Sequence, residues 1–194
     1  MRLRTVACTV ATLFSTGAGF VHAAATPTRE QIQAAVDAGV AKTASSMPMA
    51  VKVTSLLGCQ DAQDAQGEVV CLVGMRAGMR DGFTVLPLRK ENGGAWVGVE
   101  RKNATFAGPS IGEAQALMRA WVGEEIARNP DAANDVQMQE AQTAMQVKAL
   151  EACVVKRSTG YLVCDAVLSV PNRADIRTAF TFMLESTGWR YVPR

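Results

Sequence analysis

Imidazole groups are almost missing from this chain of 194 residues, which contains one histidine, His22. Histidine is the usual general base of Ser-His-Asp and Cys-His active sites and the commonest metal ligand in proteins. His22 falls in an N-terminal segment that we expect to be cleaved off. Without it, catalytic triads and histidine-based zinc sites are excluded.

Carboxylate groups are the next candidates for chemistry, and they cluster in two loops. Asp61, Asp64 and Glu68 are close together in the first, and Asp131 and Asp135 in the second. Paired carboxylates could bind calcium or act as the acid and base of glycoside hydrolysis. Around Asp61 and Asp64 the loop lacks the alternating oxygen ligands and the turn glycine of a calcium site. We therefore interpret it as an ordinary exposed loop.

Methionine thioethers are the third candidate. Met47 with Met49, and Met75 with Met79, have spacings that could serve Cu⁺ in an oxidising compartment. Methionine is also a routine filler of apolar gaps, and we favour this interpretation. We predict no metal site and no cofactor. Since no catalytic motif is visible either, we expect a protein that is not an enzyme.

The N-terminal segment is typical of a secretory signal peptide. Arg2 and Arg4 give it a basic start, residues 6–14 form an apolar stretch, and small residues lead up to Ala23 or Ala25. Cleavage near either alanine would release a protein into the periplasm or the exterior. Because no cysteine directly follows the apolar stretch, we expect no lipid anchor.

Cleavage would also change the charge and the cysteine count. The chain carries 20 Lys and Arg against 18 Asp and Glu, and Arg2 and Arg4 account for the difference. A net charge near zero argues against nucleic acid or an anionic membrane as a partner. Cys8 would be lost with the signal peptide. An even set of cysteines would remain: Cys59, Cys71, Cys153 and Cys164.

The cysteines belong to an internal repeat. An offset of 93 residues places Gly67–Cys71 on Gly160–Cys164, which gives two copies of G-x-x-V-C. The same offset places Trp96 on Trp189. An ordered set of such matches predicts a duplication. The two tryptophans are then expected to be equivalent core residues, each buried against the helix of its own copy.

Two further matches extend the alignment with changes in length. Val51-Lys52 is aligned with Val147-Lys148, with a difference of two residues before the cysteine. Phe83-Thr84 is aligned with Phe180-Thr181 after a change in loop length. The repeat then covers most of the chain after the signal peptide.

Each copy begins with a predicted helix. Thr28 with Gln31, and Ser110 with Glu113, have the spacing of a capping box. Apolar residues follow at helical spacing in both segments, and a short helix is expected over 135–146. Runs of β-type residues then alternate with turn residues, at 50–59, 67–76, 82–90 and 94–102, and again at 146–156, 160–170, 176–184 and 188–193.

Strands joined by short turns cannot form a parallel sheet, because a parallel crossover needs about a dozen residues or more. The predicted fold is therefore α+β, a tandem duplication of a helix plus a four-stranded antiparallel meander. We divide the chain into a signal peptide at 1–23, a first repeat at 24–108 and a second repeat at 109–194. Each repeat closes its own hairpin with a disulfide, Cys59 with Cys71 and Cys153 with Cys164. In the chain-entropy picture such a bond contributes about 3 kcal/mol.

This layout, over residues 27–193, resembles tandem helix-plus-sheet inhibitors such as the β-lactamase inhibitor protein. The helix motif of that family is not matched, so no binding residue is carried over. The expected function is binding to another periplasmic or envelope protein, as an inhibitor, an immunity protein or an envelope accessory factor. The alternative is a carrier of small apolar ligands, of cystatin-like or nuclear-transport-factor-like type. An enzyme based on carboxylates comes third.

Overall fold

The computed structural model describes residues 26–43 and 50–193. The predicted signal peptide and its cleavage site lie outside the described residues. The described chain forms two copies of one unit, in which a helix precedes a four-stranded antiparallel sheet with its strands in chain order. This confirms the predicted α+β duplication.

The elements follow the predicted order. The first copy contains α1 Arg29–Thr43, β1 Val51–Asp61, β2 Glu68–Ala77, β3 Arg80–Lys90 and β4 Trp96–Gly98. The second contains α2 Ile111–Arg128, a 3₁₀ turn Pro130–Asn134, α3 Val136–Thr143, β5 Gln146–Val155, β6 Leu162–Ser169, β7 Ile176–Glu185 and β8 Gly188–Tyr191. Strand β4 is much shorter than the predicted 94–102. After Val99, whose N–H donates to the Pro87 carbonyl at 3.0 Å, the chain leaves the sheet for the linker between the copies.

Both long helices begin with the predicted capping boxes. The backbone N–H of Gln31 donates to Thr28 Oγ1 at 3.3 Å, and Gln31 Oε1 accepts from the Thr28 N–H at 2.9 Å. Ser110 and Glu113 make the same pair of bonds, at 3.2 and 2.8 Å. Each box satisfies two N–H groups that a helix start leaves without partners.

A glutamine on each helix holds the first strand of its sheet. The Gln33 side-chain amide donates to the Val51 carbonyl at 2.9 Å, and its Oε1 accepts from the Val53 N–H at 2.7 Å. Gln115 repeats the arrangement with the Met145 carbonyl and the Val147 N–H, at 3.1 and 2.6 Å. Because these glutamines play the same role, they fix which positions of the two helices are equivalent.

The strand register corrects the alignment of β1 with β5. Val53 lies opposite Met75, and Val147 lies opposite Leu168. Met75 and Leu168 are related by the offset that relates the cysteines, so Val147 is equivalent to Val53 and not to Val51. The predicted difference of two residues before the cysteine is therefore wrong.

The register also corrects the alignment of β3 with β7. Cys71 lies opposite Leu86, whereas Cys164 lies opposite Phe180. Leu86 is therefore the equivalent of Phe180, and the match of Phe83-Thr84 with Phe180-Thr181 is wrong. The match of the tryptophans is correct, since Trp96 lies opposite Lys90 and Trp189 opposite Leu184, at corresponding places in the two sheets.

Both predicted disulfides are present, Cys59 with Cys71 and Cys153 with Cys164. Each joins the first two strands of its own sheet and closes a hairpin. The Cys71 and Cys164 side chains are fully buried on the face that packs against the helix. Each disulfide is thus part of the core of its copy.

The two copies contact each other through a third apolar cluster, which we call the inter-copy core. It contains Val70 and Leu72, on the face of the first sheet away from α1, and Phe106 of the linker. Leu184 and Trp189 of the second copy pack against these residues. The first sheet is therefore covered on both faces.

Trp189 lies in this contact, which corrects the expectation of two equally buried tryptophans. Trp96 is 8% exposed and packs with Ile32 and Ala35 of α1. Trp189 is half-buried, and its ring lies 6.2 Å from that of Phe106 and 6.4 Å from that of Phe182. Equivalent positions thus have different neighbours because the second copy packs against the first.

The β5–β6 turn also docks onto the first sheet. The Phe83 N–H donates to the Arg157 carbonyl at 2.8 Å. Gly160, with φ +73°, lies directly over the Phe83 ring, so that a Cβ there would come within 2.7 Å of Phe83 Cδ1. The equivalent Gly67 has φ +76° and nothing within 4 Å of that position. Gly160 is therefore required both by its backbone conformation and by this close approach.

Candidate functional site

A groove with largely apolar walls lies between α1 and the end of the first sheet. It has a volume of about 470 Å³ and is open to solvent on one side. Its walls combine helix residues such as Val36, Gly39 and Val40 with Met75, Leu86 and Gly98 of the sheet. We call this the α1 groove. Its lining contains no aromatic side chain among the described residues.

The second copy has a smaller recess at the same place, of about 300 Å³, which is lined by Trp121 and Tyr191. Gly39 and Trp121 each follow the strand-holding glutamine of their helix by six residues, so Trp121 is the equivalent of Gly39. Gly98 lies opposite Leu88, and Tyr191 lies opposite Phe182, at corresponding places of the last two strands. The two glycines of the groove thus correspond to a tryptophan and a tyrosine.

These two aromatic residues pack together in the second copy. The rings of Trp121 and Tyr191 are 5.7 Å apart, and Tyr191 lies 5.2 Å from Phe180 and 6.0 Å from Phe182. The equivalents of Phe180 and Phe182 in the first copy are Leu86 and Leu88. Four aromatic positions therefore hold two glycines and two leucines in the first copy, where the recess is larger, about 470 Å³ against 300 Å³.

The rim of the α1 groove carries both signs of charge. Lys42, in the last turn of α1, lines one side, and Glu100, at the start of the linker, lines the other. Both are exposed. With one cation and one anion at its edge, the groove does not favour a partner of either sign, and recognition would depend on its apolar walls.

The predicted acidic loop has a structural role. Arg101 of the linker forms ion pairs with Asp64 and with Glu68, the latter over 3.3 Å between Nη2 and Oε2. The Glu68 side chain is 13% exposed. The loop therefore holds the linker against the first hairpin through Asp64 and Glu68.

The second acidic pair stabilises helix starts. The Asp135 carboxylate accepts from the Gln137 and Met138 N–H groups at 2.7 and 3.3 Å and caps α3. Asp131 lies in the first turn of the 3₁₀ segment, where its own N–H donates to Asn129 Oδ1 at 3.2 Å. Neither carboxylate faces the α1 groove.

The methionine pairs are divided by the structure. Met47 and Met49 lie outside the described residues. Met75 is half-buried in the wall of the α1 groove, whereas Met79 is fully exposed in the β2–β3 turn. Within residues 26–43 and 50–193, no three His, Cys, Asp or Glu side chains are grouped so that they could hold a metal ion.

Lowered pKa values of carboxyl groups mark exposed ion pairs and helix caps elsewhere. Hydrogen bonds from Arg76, at 2.6 and 2.9 Å, hold the pKa of Asp81 below its usual value in the β2–β3 hairpin. Bonds from the backbone and side chain of Ser110 lower the pKa of Glu113. Both shifts have a structural cause.

Comparison with known proteins finds no matching family model, no matching curated protein and no matching solved structure. In the part of the chain that the structure describes, no helix is both long and apolar enough to cross a membrane. The function is therefore inferred from the geometry of the molecule itself.

Sequence reasoning missed the α1 groove. Its defining residues are Gly39 and Gly98, and a glycine gives no positive signal for a binding site. The signal that could have found them is the repeat itself, because extending the alignment into the helices places Gly39 on Trp121. That step needed the equivalence of Gln33 and Gln115, which their hydrogen bonds reveal.

Proposed function

We propose that this chain is an exported, non-catalytic protein that binds another protein through the α1 groove. The proposal is supported by the contrast between the copies: the same unit is used twice, and the recess between helix and sheet is larger in the first copy, about 470 Å³ against 300 Å³. The apolar walls of the α1 groove expose surface to water at a cost in free energy. A partner that covers the groove would recover that cost.

The proposed location is the periplasm or the exterior, after cleavage of the N-terminal signal peptide. Both disulfides indicate an oxidising compartment, since thiols are kept reduced in the cytosol. The expected partner is then an envelope or secreted protein. The structural roles of the carboxylates support a binding role more than an acid–base reaction.

The second candidate function is the transport of a small apolar ligand. The groove volume of about 470 Å³ lies within the usual size of a ligand site. Such sites normally enclose most of the ligand surface, however, and the α1 groove is open along one side. Protein binding is therefore the better fit.

A variant with two large side chains in the groove, which we call the filled variant, tests the proposal. Gly39→Trp with Gly98→Tyr introduces the side chains found at the equivalent positions of the second copy, and a Cβ at either glycine meets no atom of the described residues within 4 Å. The matched control, Gly123→Trp with Gly93→Tyr, adds the same side chains at glycines that also have this space and lie outside the groove. Cross-linking in envelope extract, followed by mass spectrometry, should recover a partner with the unmodified and control proteins and lose it with the filled variant. Equal recovery with all three would rule out the groove as the binding site.

A further inference from the structure

We infer that Asn92, in the turn between β3 and β4, is a site of spontaneous deamidation through a cyclic imide formed with Gly93. The nucleophile in this reaction is the backbone nitrogen of the next residue, and glycine has no side chain that blocks its approach. The chain contains Asn followed by Gly once, and residues 91–95 of this turn are all exposed to water. The inference goes beyond the proposed function and does not depend on it.

The hydrogen bonds of the turn leave both reacting groups available. Two backbone bonds close the turn, from the Gly94 N–H to the Glu91 carbonyl at 2.8 Å and from the Glu91 N–H to the Ala95 carbonyl at 2.9 Å. Among the described residues, neither the Gly93 N–H nor the Asn92 side chain has a hydrogen-bond partner. The Gly93 nitrogen can therefore approach the side-chain carbonyl of Asn92 without first breaking a bond of the hairpin.

The other four asparagines of the chain each lack one of these conditions. Asn129 precedes a proline, which has no N–H. The N–H groups that follow Asn134 and Asn172 each donate to the carbonyl three residues back in the chain, at 3.2 Å. Asn103 precedes alanine, whose Cβ hinders the approach of the nitrogen. Asn92 is therefore the position where the residue type and the local structure both favour the reaction.

The reaction exchanges an amide for a carboxylate and needs only water. The Gly93 nitrogen loses its proton to solvent and bonds to Cγ of Asn92, while the bond from Cγ to Nδ2 breaks and ammonia leaves. Water then opens the five-membered ring in one of two ways. Breaking the new bond to Cγ gives aspartate. Breaking the bond to the backbone carbonyl gives isoaspartate, in which the main chain runs through Cβ and Cγ.

The isoaspartate product would change the hairpin more than the aspartate product. It adds one carbon to the main chain of the turn, and the register of a hairpin depends on the length of its turn. Strand β4 is short and begins directly after the turn, with Trp96 opposite Lys90. Val97 and Gly98 of this strand line the α1 groove. Isoaspartate should therefore loosen β4 and alter one wall of the groove, whereas aspartate adds only a charge.

The first experiment follows the modification itself. The disulfide-bonded protein is incubated near neutral pH in water enriched in oxygen-18, and its peptides are mapped by mass spectrometry over days. The peptide that contains Asn92 should give two products that separate by chromatography, aspartate and isoaspartate, each with one labelled oxygen. Peptides that contain the other asparagines should remain unchanged while most of the Asn92 peptide is converted.

Gly93→Ala is the matched control for the attack of the nitrogen. Gly93 does not have a positive φ, and a Cβ there meets no atom of the described residues within 4 Å, so alanine fits the turn. Conversion of Asn92 should be several-fold slower in this variant. A sample of the unmodified protein unfolded in urea should also convert, which shows that the conditions support the reaction.

The second experiment separates the two products. The purified isoaspartate form is compared with Asn92→Asp, which carries the same charge on a normal main chain. Amide hydrogen exchange at Val97 should be faster in the isoaspartate form and unchanged in Asn92→Asp.

Two results would overturn the inference. One is an Asn92 peptide that stays unchanged in the folded protein while the unfolded sample converts. The other is conversion at the same rate in Gly93→Ala, because the reaction would then not pass through the Gly93 nitrogen. Equal exchange at Val97 in the isoaspartate form and in Asn92→Asp would confirm the site and overturn its effect on β4.

Discussion

The two copies build the same unit from different core residues. In the second copy, the space between helix and sheet holds four rings in contact, those of Phe180, Phe182, Tyr191 and Trp121, and the recess that remains is about 300 Å³. In the first, leucines and glycines hold the same positions and leave the α1 groove. Since both copies retain the capping box, the strand-holding glutamine and the disulfide, the framework does not depend on the aromatic cluster. One copy can therefore have a larger recess between helix and sheet while the fold is kept.

A second difference concerns the outer faces of the sheets. Val70 and Leu72 on the outer face of the first sheet are buried by the linker and the second copy. On the second sheet, the corresponding positions Val163 and Asp165 are half-buried and exposed, respectively. The first copy thus gains apolar burial on one face and gives up some on the other. We expect its stability to depend on the second copy more than the reverse.

The tryptophan pair offers the largest test of this difference. Trp96→Ala should cost about 3–5 kcal/mol of unfolding free energy, as is usual for a large aromatic side chain in a core. Trp189→Ala should cost less, because the indole is half-buried, and it should loosen the inter-copy core. Urea unfolding measures the free energies, and amide hydrogen exchange at Val70 and Leu72 reports the loosening.

One result with these two variants would contradict the prediction. If Trp189→Ala leaves exchange at Val70 and Leu72 unchanged while Trp96→Ala accelerates it, the second copy does not protect the first sheet. The control is Trp121→Ala, which removes an aromatic ring from the second copy away from the inter-copy core and should leave exchange at both amides unaffected.

The equivalent turn glycines give the next largest effect. Gly67→Ala and Gly160→Ala both place an alanine at positive φ, at a cost of about 1–2 kcal/mol. Gly160→Ala should cost about 1–3 kcal/mol more, because its Cβ would overlap the Phe83 ring. Thermal unfolding of both variants measures the difference. As a control, Phe83→Ala is added to each glycine variant, and this should remove the extra cost of Gly160→Ala. If Gly67→Ala and Gly160→Ala cost the same with Phe83 and without it, the turn does not dock on Phe83 as described.

Much of this architecture could be predicted from the residues, for identifiable physical reasons. Capping boxes at Thr28 and Ser110 and the repeated cysteine strands are local signals that do not depend on distant contacts. The alignment of Val51 with Val147 failed because a slip of two residues keeps every side chain on its face, so that alternation cannot detect it. The place of Trp189 between the copies was hidden for another reason, since packing between units leaves no period in the sequence.

Substitutions at Gly39 in α1 and Gly123 in α2 compare the two helices directly. Gly39→Ala should stabilise the protein by about 0.5–1 kcal/mol, because alanine loses less backbone entropy than glycine in a helix interior. Gly123→Ala in α2 should give a similar gain, since neither added Cβ lies within 4 Å of another atom in residues 26–43 and 50–193. The melting temperature of Gly39→Trp should then be higher than that of Gly123→Trp, because the indole at position 39 can pack in the α1 groove. Equal melting temperatures for the two tryptophan variants would mean that the groove does not accept a ring.

The capping boxes differ in one titratable group and give the smallest effect. Copy one uses Gln31 where copy two uses Glu113, whose pKa is lowered chiefly by the Ser110 backbone N–H and then by its hydroxyl. A carboxyl with a lowered pKa stabilises the folded state above its usual pKa, and this contribution disappears as the pH falls through the lowered value.

Glu113→Gln keeps the cap and removes the charge. At pH 7 it should cost less than about 1 kcal/mol of unfolding free energy, since the side chain is exposed to solvent. That deficit should begin to shrink near pH 4.3, about the usual pKa of a glutamate, and should vanish once the pH is below the lowered pKa. Glu30 and Asp81, whose pKa values are also lowered, are present in both proteins and cancel in the difference. Urea unfolding of both proteins from pH 7 to pH 3 measures it, and a deficit that stays constant over this range would show that the charge of Glu113 does not stabilise α2.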